Sequence, residues 1–226
     1  MPSHQANAPA SFRRRGLRFA YEVVAEALLR TPTRKVIEDI ASVSELMGFD
    51  QPFCKTDDID LPQLKQRYYD RFFVPTSGVF VVLSECRMAD AEISDGRITY
   101  GPSANQRLAH IKALYAQAGF RIELLQGDEI ATCCIAPDSL AAETAFLAFL
   151  ENARNEDSAD SDTIDRFELA LLKKHGEAWT KAAGEIMLEQ SDDLYARLVL
   201  FTAKMERMHR RILESEKPNE TQSFSE

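Results

Sequence analysis

The chain has 226 residues, 45% hydrophobic and 28% charged, enough for one substantial core and short for two independent domains. A formal net charge of −9 argues against nucleic acid as a partner, because an acidic surface repels phosphate; it suits a positively charged partner, though acidity also simply keeps a protein soluble. The four cysteines, Cys54, Cys86, Cys133 and Cys134, form no CxxC pair, so reduced thiols in a reducing compartment are expected.

The stretch SFRRRGLRFA, residues 11–20, approximates a twin-arginine export leader, but Glu22 and Glu26 interrupt the apolar run that such a leader needs. The same residues fit a helix: Leu17, Tyr21, Val24, Ala25 and Leu28 share a stripe while Arg18, Glu22 and Glu26 point away. No stretch reaches the roughly 18 apolar residues of a membrane span, so a cytoplasmic protein without stable membrane insertion is expected. TPTRKVIEDIASVSELMGF reads as a second helix, capped by Thr31 or Thr33 and ended at Gly48. DLPQLKQRYYDRFF begins with Asp60 as cap and Pro62 in the first turn, which puts Leu64, Tyr68 and Phe72 on one face.

The segment from Val74 to Pro102 is the least helical, punctuated by Pro75, Gly78, Gly96, Gly101 and Pro102. It reads as a long ordered loop with room for a short strand at Val79 to Leu83. SANQRLAHIKALYAQAG returns to helix, with Ser103 as cap, Leu108, Ile111 and Tyr115 inward and Gly119 as terminator. FRIELLQGDEIATCCIAP is irregular and divides the chain into halves. DSLAAETAFLAFLENARN is a helix from Asp138 or Ser139, burying Leu140, Phe146, Leu147 and Leu150. The acidic EDSADSD is a loop; two long helices follow, TIDRFELALLKKHGEAWTKAAGEIMLEQ and DDLYARLVLFTAKMERMHRRILESE, and a disordered tail is expected from about 216 to 226. The fold class is therefore all-α, a single multi-helix bundle over residues 1–215.

The chemical inventory is thin. No GxGxxG, GK[ST] or GxSxG motif is present, the cysteines lack zinc spacing, and the histidines are His4, His110, His175 and His209. ERMH sets Glu206 and His209 at i, i+3, the spacing of helical di-iron ligands, but no second ExxH exists, so the pair reads more simply as a surface pair. His175 and Trp179 stand at i, i+4, with Tyr195 a helix later, a core or groove-lining cluster whose aromatic rings keep one polar handle each. No catalytic residue, metal or cofactor follows from these residues.

Several of these features together resemble the TorD/DmsD/NarJ family of redox-enzyme maturation chaperones. YYDRFFVP, with Tyr69, Phe72, Phe73 and Pro75, resembles the family's tyrosine, leucine-phenylalanine and proline stretch before a long loop, and LSEC, with Glu85, is similar to its proline-x-glutamate-serine element. APDSLAAETAFLAFL, with Pro137, Asp138 and Glu143, resembles its hinge signature; HGEAW and the later LY place His175, Trp179 and Tyr195 where its C-terminal helices carry histidine, tryptophan and tyrosine. The likeness spans about residues 17 to 213. Ser139 stands for the family's hinge histidine, Ile135 for an acidic residue and Cys86 for a serine, departures that suggest a divergent subgroup with its own client.

The resemblance implies a non-enzymatic cytoplasmic chaperone without a cofactor of its own, built of two lobes, about 11–130 and 139–215, joined by a hinge at about 131–138. Its partner would be the precursor of a molybdenum-containing oxidoreductase, bound by its twin-arginine leader or its body until cofactor insertion is finished. Lobe exchange around Ile130 to Pro137 would allow a homodimer. A leader's arginine pair wants carboxylates in fork geometry, and its apolar helix wants a hydrophobic groove. The candidate peptide-binding residues are Tyr69, Phe72, Glu85, Pro137, Asp138, Ser139, Glu143, His175, Trp179 and Tyr195. Asp138 is equally placed to cap a helix, Glu85 and Glu143 equally fit structural roles, and Tyr69, Phe72 and Phe73 fit the core. From other classes, a helical metal-dependent enzyme would use Glu206, His209 and His175, and a small-molecule regulatory domain would line a cavity with Trp179 and Tyr195.

Overall fold

A computed structural model describes residues 10–47, 59–94, 97–133, 135–154 and 160–216. The expectations for Gly48, Cys54, Cys134, the loop at 155–159 and the C-terminal tail lie outside the described residues.

The described chain is all-α. Its helices are α1 (Ala10–Leu29), α2 (Arg34–Leu46), α3 (Leu61–Phe72), α4 (Glu85–Met88), α5 (Gln106–Ala118), α6 (Glu129–Thr132), α7 (Leu140–Ala153), α8 (Ser161–Lys174), α9 (Glu177–Gln190) and α10 (Leu194–Glu216). Between α4 and α5 a small antiparallel hairpin pairs β1 (Glu92–Ser94) with β2 (Arg97–Thr99), Ile93 facing Ile98. The backbone of the RRRG stretch belongs to α1, as its periodicity predicts. Among the described residues no helix is long and apolar enough to cross a membrane.

Caps fix most boundaries. The Thr33 hydroxyl accepts from Val36 N at 3.3 Å, Asp60 Oδ1 from Gln63 N at 3.1 Å and the Ser139 hydroxyl from Ala142 N at 3.2 Å, each satisfying an amide that the first helical turn leaves open. Asn105 caps α5 in place of the expected Ser103, accepting from Arg107 N at 2.9 Å. Gly119 ends that helix at φ 73°, a left-handed conformation that glycine adopts without a side-chain clash.

One contiguous core joins both halves of the chain. Leu17, Tyr21, Val24 and Leu28 of α1 pack along α7 against Leu140, Phe146, Leu147 and Leu150, while α9 lies along α10. Three expectations are corrected. The stretch Val79–Leu83 is not a strand, because its polar backbone atoms bond elsewhere: Val81 N donates to Arg71 O at 2.9 Å, Val79 O accepts from the Arg71 guanidinium, and Leu83 O accepts from Leu140 N at 3.1 Å. The long helix expected from Thr163 to Gln190 breaks at His175 and Gly176, where a Cβ on Gly176 would meet Leu172 O at 3.0 Å. Lys173 and Lys174, basic residues in the last turn of α8, were the stop signal the periodicity obscured. Glu206 and His209 are fully buried and do not form a surface pair.

Candidate functional site

Helix α1 ends against the turn that leads into α6. Tyr68 Oη donates to Leu28 O at 3.1 Å, Asp128 N donates to Leu29 O at 2.8 Å, and the Asp128 carboxylate accepts from Thr31 N at 2.6 Å and from the Thr31 hydroxyl. Those hydrogen bonds hold the Asp128 carboxyl below its usual range. Gly127 permits the approach: a Cβ there would sit 2.5 Å from Leu29 O. Between the end of α1, the chain at 80–84, Ala131 and the stretch 135–139 runs an apolar groove of about 200 Å³, walled by Leu28, Phe72, Phe73, Phe80, Leu83 and Ile135. A second cleft of about 340 Å³ lies between α1 and α7 and includes Glu22 and Glu26, with Leu29 common to both.

The groove wall is fastened by a buried polar network. Ser84 and Ser139, both groove residues, form an antiparallel bridge, and Glu85 N donates to Asp138 O at 2.8 Å. Asp138 turns its carboxylate away from its own helix: Oδ2 accepts from the Ser84 hydroxyl at 2.7 Å and from Cys86 N at 2.9 Å, which caps α4 from the turn before α7. The capping of α7 that the sequence offered to Asp138 or Ser139 falls to Ser139. Tyr115 Oη donates to Pro137 O at 2.9 Å and holds the other side of the turn. Burial raises the Cys86 thiol to about 11, with Asp138 adding to the shift, so Cys86 is an unreactive packing thiol. Asp138→Ala leaves the Ser84 hydroxyl and the Cys86 amide without their acceptor, and a loss of about 1–3 kcal/mol in a urea melt is expected; an unchanged midpoint contradicts the pinning role.

From Glu85 the network runs outward. His175 Nδ1 donates to Glu85 Oε2 at 2.7 Å, and His175 Nε2 is 2.5 Å from Nδ1 of the half-buried His110, the rings stacked at 4.8 Å. A carboxylate accepts only, so His175 carries its proton on Nδ1 and shares one more with His110. Burial, with the neighbouring His175 and Lys174 charges, holds the His110 pKa below its ordinary value. Arg107 Nε approaches Glu85 Oε1 at 3.8 Å, and Trp179 Nε1 donates to the His175 carbonyl.

Behind Trp179 lie two buried acids, Glu143 and Glu206. Both Glu143 oxygens are buried without a hydrogen bond. Burial first, then the charges of Glu85, Glu206 and Asp138, push its pKa well above the carboxylate range. Burial likewise raises Glu206 of α10 to about 8. Tyr195 belongs to an aromatic cluster, its ring 5.2 Å from Phe72 and 5.8 Å from Tyr68, and Tyr69 Oη is 3.3 Å from the Thr31 hydroxyl. Of the residues singled out by sequence, Glu85, Asp138, His175 and Trp179 are thus joined through hydrogen bonds, Pro137 and Ser139 flank Asp138 in the chain, Glu143 neighbours them electrostatically, and Phe72 lines the groove. Glu85, Asp138, Glu143, His175 and Trp179 are all 4% exposed or less, so they shape the groove from within.

The metal-enzyme set does not assemble. His175 is engaged with Glu85, whereas His209 faces Glu151 and Glu168. Sequence reasoning passed over Glu151 and Glu168, and also Glu22 and Glu26, which it read only as a solvated face. The available signal for Glu151 and Glu168 was a charge inside or at the end of an apolar run, in FELALL and AFLAFLE.

Fold and site define an all-α protein with an apolar groove whose wall is pinned by a buried acid-imidazole network. No protein-family model matches the chain, and no curated protein matches it. Among solved structures it is similar to a candidate redox enzyme maturation protein from Archaeoglobus fulgidus, at 15% identity over 94% of this chain and 99% of that one, with a TM-score of 0.43.

Proposed function

We propose that this protein is a redox-enzyme maturation chaperone that holds the twin-arginine leader of a molybdenum-containing oxidoreductase precursor in the groove beside the hinge. The observation that carries the reading is convergence. Glu85, Asp138, His175 and Trp179, chosen from three separate stretches for their likeness to one chaperone family, meet in one network along the groove wall. The groove suits the leader's apolar segment, and the neighbouring cleft suits its arginine pair. Among the described residues Glu22 pairs with Arg18 at 2.8 Å and Glu26 with Arg30 at 3.9 Å, all four side chains 39–45% exposed. Such surface pairs contribute little, so an incoming guanidinium that binds a carboxylate in fork geometry displaces them readily. The pinned network acts through the 80–84 segment, setting the groove's width. Meeting a leader before export places the chaperone in the cytoplasm, with two lobes moving about residues 131–138 and lobe exchange there as its route to a homodimer.

The test is the fluorescence anisotropy of a labelled twin-arginine leader peptide. Saturable binding is expected, with Ile135→Asp weakening it at least about tenfold, since a charge in the groove opposes apolar contact by about 1.4 kcal/mol or more. Glu22→Lys with Glu26→Lys should weaken binding and flatten its salt dependence. Equal affinity for the wild type and a folded Ile135→Asp variant would remove the groove as the binding site.

A further inference from the structure

We propose that Glu151, Glu168 and His209 form a binding site for one divalent first-row transition-metal ion, buried among α7, α8 and α10. The three side chains come from three helices far apart in sequence, and their ligating atoms all lie within 4.8 Å of one another. His209 Nε2 is 3.3 Å from Glu151 Oε1 and 3.6 Å from Glu168 Oε2. Tetrahedral bonds of about 2.0–2.2 Å separate neighbouring ligand atoms by about 3.3–3.6 Å, so the contact from Nε2 to Glu151 Oε1 matches an edge of a coordination shell, while Glu168 Oε2 is shared with Arg154.

The polar atoms are not satisfied by one another. His209 Nε2 and Glu168 Oε1 are fully buried and make no hydrogen bond; the 3.3 Å contact from Nε2 to Glu151 is too bent to be one. On the far side of the imidazole, Tyr21 Oη is 3.1 Å from Nδ1. With the Tyr21 oxygen accepting from Nδ1–H, this contact fixes the ring and leaves the Nε2 lone pair for a cation, as a metal-bound histidine requires. Arg154 binds Glu168 Oε2 and Asp165 Oδ1, each at 2.7 Å, and keeps clear of Oε1. One imidazole with two carboxylates suits Zn²⁺, Fe²⁺ or Mn²⁺ rather than a thiolate-seeking ion. The competing arrangement, an imidazolium clasped by two carboxylates, uses the same contacts and takes up no metal.

The experiment uses the full chain stripped with a chelator, titrated with Zn²⁺ and separately with Co²⁺. One ion per chain, the visible absorption of four- or five-coordinate Co²⁺ and a higher Tm with Zn²⁺ are expected. Glu168→Gln and His209→Gln should weaken Zn²⁺ binding by about a hundredfold or more, and Tyr21→Phe by about tenfold, while Glu206→Gln, buried on the same helix, leaves it unchanged. Circular dichroism checks folding. Should the ligand variants fail to fold, X-ray absorption of the Zn²⁺-loaded wild type decides: one imidazole among oxygen ligands supports the site, and sulfur or no imidazole overturns it. Failure of the wild type to bind Zn²⁺ stoichiometrically, or undiminished binding in folded Glu168→Gln and His209→Gln, also overturns it.

Discussion

Arg71→Met is expected to destabilise the protein by about 4 kcal/mol, because it removes a fully buried guanidinium and leaves the buried backbone carbonyls it serves without donors, while Asp193 keeps Arg67 at 3.6 Å. Arg71 has no exposed surface. Its Nε donates to Asp193 Oδ2 at 2.9 Å, Nη1 to Val79 O at 3.0 Å and Gln190 Oε1 at 2.8 Å, and Nη2 to Met187 O at 2.9 Å and Ser191 O at 2.8 Å. One guanidinium thus ties α3 to the α9–α10 junction and to the start of the groove loop. Asp193 is engaged a second time, its Oδ1 accepting from Tyr195 N and Ala196 N, both at 3.1 Å, to cap α10. Methionine fills the space but leaves a carboxylate and three carbonyls without these donors. Arg71→Lys restores the charge without the planar fork and should recover only part of the loss. Urea denaturation checks both; a loss below about 1 kcal/mol for Arg71→Met would contradict the tie.

Glu206→Gln should act in the opposite direction, stabilising the fold by about 3 kcal/mol at pH 7. Burial raises the Glu206 pKa from 4.5 to about 8 in the folded protein. Between those values the folded chain keeps a proton that the unfolded chain has released, so stability falls as pH rises, by about 1.4 kcal/mol per unit. Glutamine has the shape of the protonated acid and no proton to lose. Its advantage is therefore expected to grow from pH 4.5 to 8 and to vanish below about pH 4.5. Glu143→Gln should shift stability in the same direction, since burial and its acidic neighbours raise that pKa too. Urea melts at several pH values decide; a pH-independent difference would mean that Glu206 is ionised in the fold.

The helices and their caps were legible because each depends on residues within one turn: Thr33, Asp60, Gly119 and Ser139 act on their own helices. What was not legible depends on distant partners. Asp138 caps α4 across more than fifty residues, and Arg71 looked like one more polar residue on α3 until Asp193 and Gln190 closed over it. Periodicity also presumes one dry face per helix, but α10 packs against α1, α8 and α9, so Glu206 and His209 occupy interfaces that the pattern assigns to solvent. Of the candidate network, Glu85, Asp138, His175 and Trp179 were named from resemblance to one family. Their arrangement was not legible, because a buried carboxylate and an exposed one carry the same letter.

The most direct test of the chaperone reading is affinity purification of the tagged protein from its own host under anaerobic respiration, with mass spectrometry of what accompanies it and the Ile135→Asp variant in parallel. The account predicts a molybdoenzyme subunit that still carries its twin-arginine leader, recovered with the wild type and depleted with the variant. Recovery of the tagged protein alone, or of the same partners in equal amount with both, would contradict it.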